Sequence, residues 1–455
     1  MVVALADMKI KKVVAGTGYN SRSNPTVFGG IIRSDGKPFF FTVDSGASTG
    51  TREALELLDG GKRFDGKGVK TAVRNIKEIL APLVEGKITL ATTQGEFDRI
   101  LASADDTGNF SKIGANAILP LSAAYARMRA DAMGETLFDY LNREVGAPFS
   151  FSIPVPFMNV FNAGKHAAQA KGAFPGQELM IGPVGAENAA QAMEMGVGTW
   201  KMMGKMLKER QLPISIGDEG GYANPFATAR ESFKFIKEAA ERAGYRFGKD
   251  IVLAVDPAAS EFFGKEVHES DGMAHGRKYH FECGQLLSPA QMGDFWAGMA
   301  KEFPILSMED IHAQNDYAGW KYSTKTMGNR IQLVGDDVFC TNKSLLNMGI
   351  RGGIANSVLI KLNQNGTVYG TLEVMKRAME NGYTAMVSHR SGLGMDDFIS
   401  YLSVLTGQIK AGSSRERMII YNTILMLEET YGLKYAGISA FSPDVQAYWN
   451  ATWNK

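Results

Sequence analysis

The chain has 455 residues, 45% of them hydrophobic and 21% charged, and a net charge of +1. That length exceeds one ordinary domain, and the composition is that of a globular protein with ample material for a core. Near-neutral charge argues against a nucleic-acid or acidic-membrane partner, no apolar stretch is long and uninterrupted enough to span a bilayer, and the two cysteines, Cys283 and Cys340, fit no zinc-site spacing. The N-terminal run Met1-Val-Val-Ala-Leu-Ala-Asp-Met-Lys lacks the charged and apolar parts of an export signal, so cytoplasmic residence is the expectation.

In chain order, Pro25 to Arg33 and Phe39 to Asp44 read as two strands around a turn at Asp35-Gly-Lys-Pro, an antiparallel sheet that precedes helices. Ser45-Gly-Ala-Ser-Thr-Gly-Thr-Arg follows, small residues with two glycines, the composition of a mobile loop. Gly114 to Leu141 carries Ala, Leu, Met and Arg at helical spacing and predicts at least one long amphipathic helix. A Gly/Pro cluster at Gly146-Ala-Pro-Phe-Ser then separates an N-terminal α+β domain, 1–148, from a second domain, 149–455, that opens with a strand-like run from Ile153 to Val160.

Beyond residue 150, apolar runs and helical stretches alternate to the C-terminus. Three of those runs stop at carboxylates, Asp256, Glu309 and Asp336, and two more stop at Lys361 and His389. The steps from Glu309 to Asp336, Asp336 to Lys361 and Lys361 to His389 are 27, 25 and 28 residues, each close to one strand plus one crossover helix. Short apolar runs bounded by charge and separated this way read as buried parallel strands, so the polar residues emerge together at the strands' C-terminal ends. The fold class expected is α/β, a (β/α)8-type TIM-like barrel of about 250 residues or more, whose active site lies at that rim. Carboxylates converging there repel one another unless a cation lies between them, and an all-oxygen set suits a hard metal such as Mg²⁺. From Asp256 to Glu309 the interval is nearly doubled, which assigns a polar excursion to Gly264 through His280 before a helix from Leu286 to Phe303. His268, His275 and His280 fall in it and are expected to be solvated, whereas Met193, Met195, Met202, Met203 and Met206 read as helix core.

The chain resembles the enolase family from about Ser21 to Glu429. The resemblance is carried by Ser45-Gly-Ala-Ser-Thr-Gly, Gly66-Lys-Gly-Val, Gly114-Ala-Asn-Ala-Ile-Leu, Gln177-Glu-Leu-Met-Ile, Gly217-Asp-Glu-Gly-Gly, Ala258-Ala-Ser-Glu-Phe, Val334-Gly-Asp-Asp, Lys361-Leu-Asn-Gln, Ser388-His-Arg-Ser-Gly and Thr406-Gly-Gln-Ile-Lys, in the family's order. It implies a reversible dehydration of 2-phosphoglycerate to phosphoenolpyruvate. A proton leaves the carbon beside a carboxylate, metal makes the dianionic enediolate tolerable, and a lysine whose pKa is lowered by neighbouring positive charge is the base.

The resemblance further implies Lys361 as the base and Glu219 as the acid that assists departure of the 3-hydroxyl. Asp256, Glu309 and Asp336 would hold a first Mg²⁺, and Ser48 a second, substrate-dependent one together with the substrate phosphate. Lys410 would face the substrate carboxylate, and Arg390 and Ser391 the phosphate. Gln177, Glu178, His166 and His389 would complete the pocket. A homodimer acting on a small phosphorylated substrate, with no nucleic-acid or membrane partner, is the assembly implied.

Four segments depart from the family. The stretch between His166 and Gln177 is longer than usual and follows Lys165; Ile311-His312 replaces Pro-Phe beside a metal ligand, where a histidine tunes the site or joins it; Leu393 and Met395 replace acidic residues near the phosphate anchors; and Ser23 replaces a glycine. Two alternatives therefore stand beside the leading reading. One is an enolase-like dehydratase for a phosphonate or a larger 2-substituted glycerate, and the other a catalytically silent homologue that serves as a binding protein.

Overall fold

The computed structural model describes residues 7–46, 50–147, 149–167, 174–264 and 278–454. Its N-terminal part is built on three antiparallel strands in the order β1 (Ile10–Tyr19), β2 (Pro25–Arg33) and β3 (Pro38–Thr42). The first of these is absent from the sequence reading. Lys11, Lys12, Gly16 and Gly18 weaken its own strand signal, and pairing along the full length of β2 supplies what local preference does not. The β1–β2 turn is held by Asn20, whose Oδ1 accepts from the amides of Arg22 and Asn24 at 3.0 and 3.1 Å. Ser23 in that turn has φ 59°, the left-handed conformation a glycine would take without strain.

The segment from Gly114 to Leu141 is two helices. Ala115–Met133 ends at Gly134 with φ 67°, and Leu137–Val145 starts afresh where the Thr136 side chain accepts from Asp139 N. The longer helix lies on the sheet over Gly29, where a Cβ would fall 2.9 Å from Pro120.

The remainder is a closed barrel of eight strands: β4 (Val155–Asn162), β5 (Glu178–Gly182), β7 (Val252–Asp256), β10 (Ile305–Glu309), β11 (Gln332–Gly335), β12 (Ser357–Ile360), β13 (Thr384–Ser388) and β14 (Gln408–Gly412), which closes on β4. A short strand, β6 (Tyr222–Ala223), adds to β4, and β8 (Tyr279–His280) and β9 (Leu286–Leu287) form a separate ribbon. The expectation of parallel strands throughout is corrected at β5, which runs antiparallel to both β4 and β7. The connection from β4 to β5 carries only the one-turn helix Gly164–His166 among its described residues and no crossover helix, so the chain returns in the opposite sense. As a result, the first residue of β5, Glu178, reaches the same rim as the last residue of β7, Asp256, its register partner.

Val155, Phe157, Met180, Val252, Ala254, Leu306, Val334, Leu359 and Met386 fill the barrel interior as one apolar cluster, a packed core rather than a pore. Phe441, Val445 and Trp449 extend it at the end away from the carboxylate rim, and Trp449 Nε1 donates to Gly248 O at 2.8 Å. Met195, Met203 and Met206 of the helix Ala189–Glu209 are buried and Met193 and Met202 partly so, as helix core. Instead of starting at Leu286, the next helix spans Pro289–Glu302, because Ser288 and Gln291 form a capping box at its entry. His280 is exposed, and His268 and His275 lie outside the described residues. Among the described residues no helix is long and apolar enough to cross a membrane.

Candidate active site

Buried strands stay apolar until the barrel ends, so the first polar side chains meet at its rim. Asp256 and Glu309 end β7 and β10, Asp336, Lys361 and His389 each directly follow a strand, and Lys410 projects from within β14. His166, Gln177, Glu178, Glu219, Asp256, Asp336, Lys361, His389, Arg390, Ser391 and Lys410 line a single polar cavity. Ser48 lies outside the described residues.

Two lysines stand among the carboxylates. Lys410 Nζ donates to Glu309 Oε2 at 2.7 Å and to Asp256 Oδ2 at 3.0 Å, and lies 3.0 Å from Glu178 Oε2. Lys361 Nζ donates to Asp336 Oδ2 at 2.5 Å, while Asp336 Oδ1 accepts from Gln364 Nε2 at 2.8 Å. Burial by itself disfavours both ammonium ions. For Lys361 the charges of Asp336 and Glu309 together outweigh it, and for Lys410 those of Asp256, Glu178 and Glu309, so both amines are held above the ordinary lysine pKa. The neighbouring cations Arg390 and Lys410 act in the opposite direction and only partly offset the carboxylates around Lys361.

The predicted metal triad is drawn onto these lysines rather than gathered around one point. Among the described residues, the groups whose donor atoms all lie within 4.8 Å of one another are His166–Glu178–Glu219 and Asp310–Asp336–Asp337. The chemistry of Asp256, Glu309 and Asp336 nevertheless fits a hard divalent cation. All their donors are carboxylate oxygens, Glu309 Oε1 is buried without a hydrogen-bond partner among the described residues, and burial together with Asp256 pushes the Glu309 pKa up, the signature of anions short of positive charge.

On the other wall the turn Gly164–His166 and the loop 217–221 are joined by Asp218 N donating to His166 O at 2.9 Å. Gly220, at φ 85°, lets that loop pass against Ser414 and places Glu219 in the cavity. Glu219 Oε2 accepts from Asn159 Nδ2 at 2.9 Å, and its Oε1 faces His166 Nδ1 at 3.3 Å and His389 Nε2 at 3.6 Å. His166 Nε2 meets Gln177 Oε1 at 2.8 Å. The two glutamates are pushed apart. Burial and the charge of Glu219 raise Glu178 well above the carboxylate range. Burial would also raise Glu219, but the imidazoles of His166 and His389 bring it below. Burial lowers the His389 pKa to about 4, against the opposing charge of Glu219.

Three neighbours went unrecognised in the sequence. Glu53 accepts from Arg390 Nη1 at 2.9 Å, joining the N-terminal part to the barrel. Asp310, at φ 39°, accepts from the amides of Asp336 and Asp337 at 3.0 and 2.9 Å and so fixes the loop that bears Asp336. Arg417 is fully buried behind His389. The Glu309-Asp310 doublet was the available signal for Asp310, while Glu53 and Arg417 are distant in sequence from what they touch and carry none.

The departures also find their places. His312 does not join the cavity. Its Nε2 meets Ser323 Oγ at 2.7 Å and its Nδ1 faces Asp316 Oδ2 at 3.4 Å, in a fully buried network that Tyr279 completes by donating to Asp316 at 2.6 Å. Leu393 is buried and Met395 exposed. Lys165 pairs with Glu261, a cavity-lining residue, at 2.6 Å.

Compared with known families, residues 10–141 match the enolase N-terminal domain, and residues 150–443 match the enolase C-terminal TIM barrel domain.

Proposed function

The chain belongs to the enolase family, a lineage of lyase-type enzymes, and from that premise we propose that it is a magnesium-dependent phosphopyruvate hydratase that dehydrates 2-phospho-D-glycerate to phosphoenolpyruvate, reversibly. The observation that carries this reading is the lining of one cavity by a lysine set against a carboxylate cluster and by a glutamate pair with separated proton affinities.

Dehydration needs a base at C2 and an acid at C3. Lys361 Nζ takes the C2 proton, and the C–H electron pair moves into the substrate carboxylate. That pair then returns to form the C2–C3 double bond as the C3–O bond breaks, and the departing hydroxyl takes a proton through Glu219 from the pair it forms with Glu178, leaving as water. Lys361 must be neutral to begin, so its ion pair with Asp336 has to open in the working state. Asp256, Glu309 and Asp336 would hold the first Mg²⁺, and Ser48 with the substrate phosphate the second. A divalent cation there would offset the second negative charge gained by the substrate carboxylate. Lys410 is assigned to that carboxylate, Arg390 and Ser391 to the phosphate, and His166, Gln177 and His389 to orientation. We place the enzyme in the cytoplasm, as a homodimer, in glycolysis or its reversal.

The longer stretch between His166 and Gln177 is the basis for one second reading, an enolase-like dehydratase whose substrate is a phosphonate or a larger 2-substituted glycerate.

Solvent-deuterium exchange at C2 of 2-phosphoglycerate tests the assignment. The wild type is expected to exchange and dehydrate, Lys361→Ala to lose exchange by about 10²–10⁴-fold, and Glu219→Gln to retain exchange while losing dehydration. Undiminished exchange in Lys361→Ala would remove the base from the account.

A further inference from the structure

Arg417 is an unusual residue to find behind a catalytic wall. Its side chain is fully buried, it closes a one-turn helix (Arg415–Arg417) after β14, and its guanidinium spreads over three elements. Nε donates to His389 Nδ1 at 3.3 Å, Nη2 to Ser391 O at 2.5 Å, and Nη1 to Ser21 Oγ at 3.2 Å, with Glu416 as its ion-pair partner. Ser21 is itself fastened to the same loop, since its amide donates to Leu393 O at 2.9 Å and its Oγ accepts from Leu393 N at 3.0 Å.

A guanidinium has donors only. A ring nitrogen facing one must therefore offer a lone pair, and in a neutral imidazole the proton then resides on the other nitrogen. For His389 that is Nε2, which is buried, has no hydrogen-bond partner within 3.5 Å among the described residues, and faces Glu219 Oε1 at 3.6 Å. A buried N–H left unsatisfied is costly, and it persists where a ligand atom completes it.

We propose that Arg417 is a positioning residue that locks His389 as its Nε2–H tautomer, so that this N–H projects into the cavity beside Glu219 and donates to the oxygen of the departing hydroxyl. It acts on the acid half of the reaction, through His389, and leaves proton removal at Lys361 untouched. The tautomer stands on geometry alone; its consequence for catalysis rests on the dehydration reading above.

Histidine-selective ¹⁵N labelling of the full chain, with long-range ¹H–¹⁵N correlation and His389→Gln to assign the ring, reads the tautomer without substrate. The expected spectrum has an unprotonated Nδ1 and a protonated Nε2. A protonated Nδ1, or an averaged pair, overturns the proposal whether or not any variant folds. In Arg417→Gln the dehydration rate is expected to fall by about 10- to 100-fold while C2 exchange keeps its wild-type rate. Equal loss of both rates would make Arg417 merely structural and also overturn it. If the protein proves inactive on 2-phosphoglycerate yet shows the Nε2–H ring, only the functional reading fails.

Discussion

Glu309 has one carboxylate oxygen on Lys410, and the other meets no hydrogen-bond donor among the described residues. In a low-dielectric interior that is a strong demand for a second cation, and the two lysines meet it only in part. The carboxylates are therefore expected to be a binding site even without substrate. Mg²⁺ at 100 times its dissociation constant raises the stability of a protein with one such site by about 2.7 kcal/mol. A thermal melt should show that rise in the wild type and lose it in Glu309→Gln; an equal rise in both would take Glu309 out of the site. His312, by contrast, is framework. Replacing it as His312→Phe leaves Ser323 and Asp316 short of partners and is expected to cost roughly 1–3 kcal/mol in a urea melt with turnover unchanged, and a selective loss of turnover would contradict that. The sequence singled out His312 because it departs from its family, but not where it points, since Ser323 is a full helical segment away.

The elements are tied together by carboxylates at helix starts. Asp98, in the helix Gln94–Ala102, accepts from the amide of Tyr369 in the first turn of the helix Val368–Met379 at 2.8 Å, and from Gln94 Nε2 at 3.0 Å. Burial nonetheless raises its pKa from 3.8 to about 6, with Ser122, Tyr369 and Gln94 only limiting the rise. A carboxyl with a raised folded-state pKa contributes stability that is fully present below its unfolded value and is lost as pH rises through the folded one. Stability is thus expected to fall between about pH 4 and pH 6, with roughly 3 kcal/mol of that fall absent in Asp98→Asn. Parallel pH–stability curves for the two proteins would contradict this.

Element by element, legibility followed burial. The runs ending at Asp256, Glu309, Asp336, Lys361 and His389 announced themselves because a strand covered on both faces stays apolar until it emerges. Strand β1 did not, because its lysines and glycines hide it, nor did the reversal of β5, since direction depends on the connection and not on the strand's own residues.

At the scale of the whole molecule, the filled barrel interior holds the rim rigid, and the N-terminal part completes the site by placing Glu53 on Arg390. The residues that share the rim were foreseeable from where each strand ends, but their pairing was not. Which lysine meets which carboxylate depends on side chains reaching across strands, and Lys410, placed within β14 rather than after it, takes Asp256 and Glu309 together.

This acidic rim is expected to work only with a divalent cation, so that Lys361 can draw a proton from the carbon beside a carboxylate. The most direct measurement is the absorbance of enolpyruvate formed from 2-phosphoglycerate by the purified protein, with Mg²⁺ and after complete chelation. Absorbance is expected to rise with Mg²⁺ and to stay flat without it. An undiminished rise in the chelated sample, or none in either from folded protein, would contradict the account.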